Sequence, residues 1–556
     1  MKLNKLFFAF VAAGLALVGC TKMDDIVPQG GTMLASQVQQ TNLIAPSRAS
    51  ASFNGMFTNI GKPTKMYNTP DDWEFLMILF CNDLEGADAL IADSGYNWFS
   101  VCGEYSSRNN TYRNPAIRYR APYNMIGDVN TFVSGYPADV TDERAINMIA
   151  QARVLRAYSY MMLAPQYQFA PLTVIKDGED AGKTGAELPC VPLVKPETED
   201  FTNNPRATVK EIYDYVLEDL TYAIEKLEGS TRTNKMYVDA NVAYGLRARV
   251  NLLLGNWQDA YDDAVAAANG YTPASIEEVS KPAFYSIDEH NWIWGYDMAT
   301  GLPGNVQSNG YYATTTSWLR SFSGSGYAPA CQVYTCINKL LWDLIPATDV
   351  RKGWWVDEEL NSPLLNGLAW PGYSDVANAD DGDNKLPYLA YTNVKFGAYT
   401  VGTTVNEEDM PLMRVEEMIL IQAEAKEHLS AGAGKTILED FVKTYRDPNY
   451  SADAGGRSIL DEIWFQRRVE LWGEGFGVFD NLRLDKPIVR FNGSVGASSS
   501  NIADAFRFNL DSQNPWLRMR FPQGEMNTNF GIKDNQGGQQ PEIDEGKDLK
   551  DGVTVK

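Results

Sequence analysis

Apolar residues recur at helical spacing in several long stretches of the chain. In the stretch 143–162, for example, Ile146 and Ile149 fall on one face of a helix. Thr208 followed by Glu211 has the spacing of a capping box, which predicts the start of another helix. The same periodicity predicts helices over 208–228, 239–254, 259–268, 413–429 and 458–472. The pattern therefore predicts a predominantly all-α fold.

Two of these helices are joined by a short turn at Gly255-Asn256-Trp257. Small residues, mostly alanine, stand where the two helices would touch. A helix, a short turn and a second helix with small contact residues resemble a tetratricopeptide unit. No fixed period runs through the whole chain, which disfavours a pure solenoid. We expect an α-α superhelix of such helix pairs at about 140–270 and 410–475, with long irregular loop regions at about 50–135 and 275–400.

The amino terminus has the layout of an export signal. Lys2 and Lys5 precede an apolar run over 6–18, which is too short to span ~30 Å of hydrocarbon as a helix. We therefore expect residues 1–19 to form a signal peptide that is removed. Leu17-Val18-Gly19-Cys20 resembles the lipobox of bacterial lipoproteins, in which the cysteine is acylated and becomes the first residue. An ordinary signal that happens to end in cysteine is the alternative.

An acylated Cys20 would hold the protein to a membrane through lipid, because more than one acyl chain makes a stable anchor. The polar segment 20–40 would then act as a flexible tether. Lys22-Met23-Asp24-Asp25 resembles a surface-export signal of lipoproteins. We expect an outer-membrane lipoprotein exposed at the cell surface, with one large domain over 41–556.

The composition limits the partners of that domain. The formal net charge is −23, with 71 acidic against 48 basic residues. Such a charge argues against nucleic acid or an anionic lipid surface as a binding partner. Hydrophobic residues make up 44% of the 556 positions, enough to fill a large core.

The cysteine pattern indicates neither a disulfide framework nor a zinc site. Once Cys20 is assigned to lipid, an odd number of cysteines remains, and none forms a Cys-x-x-Cys pair. We expect no cofactor. We expect buried free thiols at Cys81, Cys102, Cys190, Cys331 and Cys336.

Recognisable catalytic chemistry is missing from the sequence. A nucleophile–base pair, a metal centre or a carboxylate dyad would each need its own constellation of residues. The only histidines are His290 and His428. Two histidines leave few residues from which to build a nucleophile–base pair or a metal centre. Acidic pairs are abundant, so a glycosidase dyad stays possible, but no motif locates one. We expect a binding protein and not an enzyme.

Aromatic residues are concentrated between positions 284 and 342, where twelve occur in 59 positions. Flat aromatic faces beside amide or charged groups are what sugar binding needs. If the segment is extended, its alternating rings fall on one side. Packing in the core is the competing interpretation for each ring. The candidates here are Trp292, Trp294, Tyr296, Trp318 and Arg320.

Two further groups of candidates lie elsewhere in the chain. Tyr96, Asn97 and Trp98, downstream of Asp83, combine aromatic, amide and carboxylate groups and form a second possible sugar site. The acidic run at 380–384 could bind calcium through its oxygens, but it lacks the spacing of an EF-hand. A solvated acidic loop is the favoured interpretation there, and the weak calcium candidates are Asp380, Asp381 and Asp383.

An ordered set of motifs resembles the SusD-like (SusD/RagB) family of outer-membrane lipoproteins. The signature helix is matched by Arg153-Val154-Leu155-Arg156-Ala157-Tyr158 and by the later Pro171-Leu172. Gln466 stands where the family usually has Glu, and Gly477 where Arg is common, so local salt bridges come into question. The further matches include Pro205-Arg206-Ala207-Thr208, Arg414-Val415-Glu416-Glu417, Arg467-Arg468-Val469-Glu470-Leu471 and Phe521-Pro522.

The resemblance implies a non-enzymatic, α-helical nutrient binder with tetratricopeptide-like helix pairs. Such a protein would lie as a lid on a SusC-like TonB-dependent outer-membrane transporter. It would capture an oligosaccharide and pass it to that barrel. Peptide capture, as in RagB-like members, is the alternative within the family, and a surface glycoside hydrolase is the alternative from another class.

Overall fold

The structure is a computed structural model that describes residues 35–62, 67, 69, 71–91, 98–301, 319, 321–322, 334–368, 389–401 and 407–556. Its α-helices are, in chain order, α1 (Ala35–Ile44), α2 (Pro46–Thr58), α3 (Glu74–Glu85), α4 (Ser100–Gly103), α5 (Arg113–Ser134), α6 (Glu143–Tyr167), α7 (Val209–Leu227), α8 (Ala240–Leu254), α9 (Trp257–Ala268), α10 (Ile276–Val279), α11 (Met298–Gly301), α12 (Lys339–Trp342), α13 (Val415–Leu429), α14 (Ala433–Tyr445), α15 (Ile459–Glu470), α16 (Gly477–Arg483) and α17 (Gln523–Thr528). Its strands are β1 (Ala89–Leu90), β2 (Pro189–Pro192), β3 (Arg206–Thr208), β4 (Trp292–Tyr296), β5 (Cys336–Ile337) and β6 (Met410–Arg414).

The long helices pack side by side in the order of the chain. Helix α5 packs on α6, α6 on α7, α7 on α8 and α8 on α9. Helix α9 then contacts α13, which packs against α14 and α15. The predicted α-α superhelix of tetratricopeptide-like pairs is therefore confirmed.

Local signals set the ends of these helices. The Thr208 side chain accepts from the Glu211 N–H, and the Glu211 carboxylate accepts from the Thr208 N–H, so the predicted capping box at the start of α7 is present. Asp239 caps α8, and Gly255 ends it in the left-handed region at φ 77°. Such caps bring α8 and α9 into an antiparallel pair with a very short connection.

In the described part of the chain, three antiparallel two-stranded sheets pair β1 with β5, β2 with β3 and β4 with β6. Strand β6 contains Met413, which the periodicity places at the start of a helix. The helix instead begins at Val415, because the segment before it hydrogen-bonds to β4. In the described part of the chain, no helix is long and apolar enough to cross a membrane.

Two regions differ from the expected layout. Segment 50–135, expected to be rich in loops, contains most of α2 together with α3 and α5. Helix α1 begins inside the expected tether, where the Gln39 amide donates to the carbonyls of Ser134 and Tyr136. The end of the tether is therefore docked on the folded body, whereas residues 1–34, with Cys20, lie outside the described residues.

A network of buried charges joins α15 to β6 and α14. Arg414 Nη1 lies 3.1 Å from Glu470 Oε1, and Arg446 Nε lies 2.8 Å from Glu470 Oε2. Lys395 Nζ lies 2.8 Å from Glu474 Oε1, and burial lowers the pKa of Lys395 to about 8. Removing one partner of such a pair costs about 3–5 kcal/mol, so these motif residues have a structural role.

Gln466 belongs to the same network. Its amide donates to Glu462 Oε1 at 2.9 Å, and its Oε1 accepts from Arg351. Glutamine can serve both neighbours because it carries a donor and an acceptor. Glutamine in place of the family's usual glutamate at position 466 put a local ion pair in question. Two hydrogen bonds of Gln466 are present there instead.

Candidate functional site

The aromatic residues of β4 are fully buried. Trp292, Trp294 and Tyr296 have 0% of their surface exposed. The Trp294 indole N–H donates to the Met236 carbonyl at 3.0 Å, and the Tyr296 hydroxyl donates to the Thr58 carbonyl at 3.0 Å. The extended segment is present, but all five of its residues are buried, and β6 pairs along it. The prediction that these three rings form a sugar platform is therefore wrong, since a sugar needs an accessible ring face.

Asp83 is also a structural residue. It is 4% exposed on α3, and its carboxylate accepts from the backbone N–H groups of Gly475 and Gly477 at 2.8 and 3.0 Å. Burial raises the pKa of Asp83 to about 7. A Cβ added at Gly477 would lie 3.2 Å from the Asp83 Cα, which explains a glycine where the family often has arginine. The prediction of Asp83 as a ligand contact is wrong, because its oxygens hold the 475–477 turn.

Several predicted site residues lie outside the described residues. They are Tyr96, Asn97, Trp318 and Arg320 of the sugar candidates and Asp380, Asp381 and Asp383 of the calcium candidates. Among the described residues, no group of three His, Cys, Asp or Glu side chains is placed to hold a metal ion.

Trp98 is the predicted aromatic that the structure leaves partly accessible. Its ring lies under the Arg113 guanidinium, whose Cζ is 4.5 Å from the ring centroid. The same Cζ lies 5.8 Å from the ring centroid of Tyr67, a residue with 40% of its surface exposed. Arg113 Nη2 pairs with Asp71 Oδ2 at 2.8 Å. We call Tyr67, Asp71, Trp98 and Arg113 the Trp98 cluster.

Three separate segments bring this cluster together. Tyr67 and Asp71 lie just before α3, Trp98 lies in the turn before α4, and Arg113 is the first residue of α5. Asp71 is buried, and its Oδ1 accepts from the Thr69 hydroxyl at 2.7 Å. Burial raises the pKa of Asp71, and the facing guanidinium opposes that shift. The guanidinium is thus held between a carboxylate and two rings, with 28% of its side chain still exposed.

Glu74, three residues after Asp71 at the start of α3, is strained. Its φ of 48° lies in the left-handed region, which a residue with a long side chain rarely adopts. Its Oε2 is buried without a hydrogen-bond partner among the described residues. Burial, reinforced by the nearby Asp72 and Asp128, raises its pKa to about 8. Strain and an unsatisfied carboxyl in one place are typical of sites under functional constraint.

The Trp98 cluster offers the groups that a sugar requires. An indole face can cover the apolar face of a pyranose ring, while a guanidinium and carboxylates bond to hydroxyls. Sequence reasoning found Trp98 but missed Tyr67, Asp71 and Arg113. Only the acid pair before the apolar run of α3 could have signalled them, and an acid pair alone locates no site.

A polar cleft of about 870 Å³ forms a second accessible hollow. Tyr399, with 46% of its surface exposed, donates from its hydroxyl to Asp409 Oδ2 at 3.0 Å on one wall. Arg232, which also lines the cleft, pairs with Asp239 at 2.9 Å and donates to the Tyr271 hydroxyl at 2.9 Å. The volume suits a small ligand, but these polar groups already bond to one another. No sequence motif marked this cleft.

Comparisons with known proteins agree with the fold and the motif order. Residues 50–252 match the family described as "Starch-binding associating with outer membrane", and residues 322–537 match the SusD family. The chain is 24% identical over 335 residues to SusD-like protein P2 of Formosa agariphila. That alignment covers 58% of this chain and only 60% of the relative's length.

Solved structures share the fold at low sequence identity. A SusD-like carbohydrate-binding protein from Bacteroides vulgatus superposes with a TM-score of 0.67 at 21% identity, covering 89% of this chain and 98% of that one. A laminarin-binding SusD-like protein superposes with a TM-score of 0.59 at 15% identity, covering 88% and 99%. The two family matches span most of the folded body in the expected order, and the chain belongs to the SusD-like family.

Proposed function

We propose that this protein is a cell-surface lipoprotein that captures oligosaccharides and delivers them to a SusC-like TonB-dependent transporter. Its membership of a family described as starch-binding and associated with the outer membrane supports this most directly. The protein with the same fold that binds laminarin adds support for a glycan ligand. The lipobox-like Cys20 provides the anchor in this proposal.

The Trp98 cluster is the proposed point of sugar contact. Trp98 and Tyr67 would stack on the apolar faces of sugar units, and Arg113 would donate to hydroxyls from its exposed edge. Pairing with Asp71 holds the guanidinium in place before the ligand arrives. Pre-organised groups lose less entropy on binding, so the cluster suits capture of a dilute nutrient.

Calorimetry of the purified protein against a panel of oligosaccharides, including fragments of laminarin and starch, tests ligand capture. Trp98→Ala should weaken binding of the preferred glycan by ~1–3 kcal/mol, the range known for stacking on aromatic side chains in nucleic-acid binding. The matched control is Trp257→Ala, because Trp257 is also partly exposed but stacks on His428 at a centroid distance of 3.8 Å. The control should bind like the wild type.

Other outcomes of the same experiment would redirect the proposal. An unchanged affinity in Trp98→Ala combined with a loss in Tyr399→Ala would move the site to the polar cleft. Binding to peptides and to no glycan would mean that the ligand is a peptide and not an oligosaccharide. Release of shortened products from the panel at enzymatic rates would contradict the binding-only role.

Cell fractionation tests the anchor independently of the ligand. Cys20→Ala should keep its fold and its glycan affinity but leave the membrane fraction. Protease added to intact cells should degrade the wild-type protein if it is surface-exposed. Co-purification of a TonB-dependent barrel with the tagged wild type would support delivery, and repeated purification without any barrel would contradict it.

A further inference from the structure

Two buried cysteines lie against each other beneath the segment that carries Trp98. The Sγ atoms of Cys81 on α3 and Cys102 on α4 are 3.0 Å apart. Each residue has 1% of its surface exposed. The separation exceeds an S–S bond of about 2.05 Å by only ~1 Å, which small side-chain rotations can close.

The other described cysteines have different neighbours. The Cys190 Sγ lies 3.7 Å from the Ala164 carbonyl, and the Cys336 Sγ lies 3.6 Å from the Thr392 hydroxyl. In neither contact is the partner atom a second sulfur. The pairing geometry is therefore specific to Cys81 and Cys102 among the described cysteines.

We infer that Cys81 and Cys102 form a disulfide bond in the exported protein. The two thiols lose two protons and two electrons as the S–S bond forms. The electrons pass to the disulfide of a thiol–disulfide oxidoreductase in the oxidising compartment outside the cytoplasm, which leaves that enzyme as a dithiol. The structure itself has buried free thiols at these two positions, as the sequence predicts, and the bond would form from them. An odd total number of cysteines does not prevent one pair.

The surroundings favour oxidation during folding. In the folded protein both sulfurs are covered, and burial holds the pKa of the Cys81 thiol well above its usual range. Because the thiolate is the form that attacks a disulfide, the closed pair reacts slowly. The bond would form before α3 is covered, and it would afterwards be shielded from reductants.

The bond would have a defined mechanical effect. It would close a loop whose chain contains Trp98, four residues before Cys102. It would also fix α4 against α3, next to Arg118, whose Nη2 lies 3.4 Å from the Cys102 Sγ. The turn that presents Trp98 would thus be restrained from both ends, independently of which ligand the protein binds.

Peptide mapping of the lipoprotein taken from membranes tests the inference. Cells are quenched with acid, and the denatured protein is alkylated without reduction and digested with trypsin. Both cysteines fall in one tryptic peptide, 66–108, since no lysine or arginine lies between Lys65 and Arg108. We expect this peptide to lack both alkyl groups and to gain them only when the sample is reduced first.

A second digestion distinguishes a linked pair from two otherwise blocked thiols. Cleavage before Asp83, Asp88 and Asp93 separates the two cysteines along the chain. The resulting fragments should stay joined without reductant and separate with it. Cys190→Ser should give the same map as the wild type. Alkylation of both thiols in the unreduced wild-type sample, or a link from either one to a different cysteine, would overturn the inference.

Discussion

Two aromatic regions of this protein have the same chemistry and opposite surroundings. The rings of β4 are completely enclosed, and Trp294 and Tyr296 donate to the backbone carbonyls of Met236 and Thr58. The rings of the Trp98 cluster keep an accessible edge, and their partner is a guanidinium that is itself partly exposed. Aromatic density and alternation therefore identify a buried strand as readily as a binding surface.

The surroundings also assign different energetic roles to the two regions. Enclosed rings contribute through burial of a large apolar surface, so their loss should appear in the free energy of unfolding. Partly exposed rings contribute less to folding and can meet a ligand. Substitutions in the two regions should therefore separate stability from affinity.

The largest effect is expected for Trp294→Ala. The substitution leaves a cavity beside Tyr158, whose ring contacts the indole edge-on at a centroid distance of 5.0 Å. A fall of about 3–5 kcal/mol in the free energy of unfolding is expected, measured by chemical denaturation. Trp294→Phe is the control, because it keeps most of the buried surface and should lose much less. If the Trp294→Ala protein is as stable as the wild type but binds glycan more weakly, β4 belongs to the ligand site.

The second effect is a pH dependence created by Glu74 at the start of α3. Burial raises its pKa from 4.5 to about 8, so between these values the folded protein keeps a proton that the unfolded chain releases. The wild type therefore loses stability as pH rises from about 4.5 to 8 because of this group. Glu74→Gln cannot titrate and escapes that loss.

Denaturation curves at pH 4.5 and pH 8 would measure the difference. Glu74→Gln should match the wild type at the lower pH and exceed it by on the order of 4 kcal/mol at the higher pH. Glu225→Gln is a matched control, because this exposed carboxylate pairs with Lys226 at the surface and should change little at either pH. A constant difference across the range would show that Glu74 is ionised normally.

The sequence predicts the scaffold better than the site because the scaffold is specified locally. The cap at Thr208 needs a partner only three residues away, and Gly255 ends α8 through its own backbone conformation. Helix α5 was not predicted, and the reasons are also local. Pro122 interrupts its pattern of apolar positions, and no side chain caps its start at Tyr112. Such signals explain why the fold was predictable and α5 was not.

The site depends on partners that are far apart in the chain. Arg113 meets Asp71 across 42 positions, and no spacing rule connects them. Burial of Trp294 is decided by Met236 and Tyr158, which belong to segments more than 50 residues away. Sequence patterns can list residues with suitable chemistry, but only the tertiary packing selects among them.

The smallest effect concerns how the accessible ring of Trp98 is held. Arg113→Lys keeps the positive charge that faces Asp71 but loses the planar group that lies over the indole. The loss should lower the free energy of unfolding by about 0.5–1 kcal/mol, the usual range for an exposed cation–π contact. A double-mutant cycle with Trp98→Leu isolates this contact, because Arg113→Lys should cost less once the indole is absent while Tyr67 and Asp71 still face position 113. An equal cost in both backgrounds would mean that the contact between Arg113 and Trp98 contributes no energy of its own, and that Asp71 and Tyr67 hold Arg113 in place.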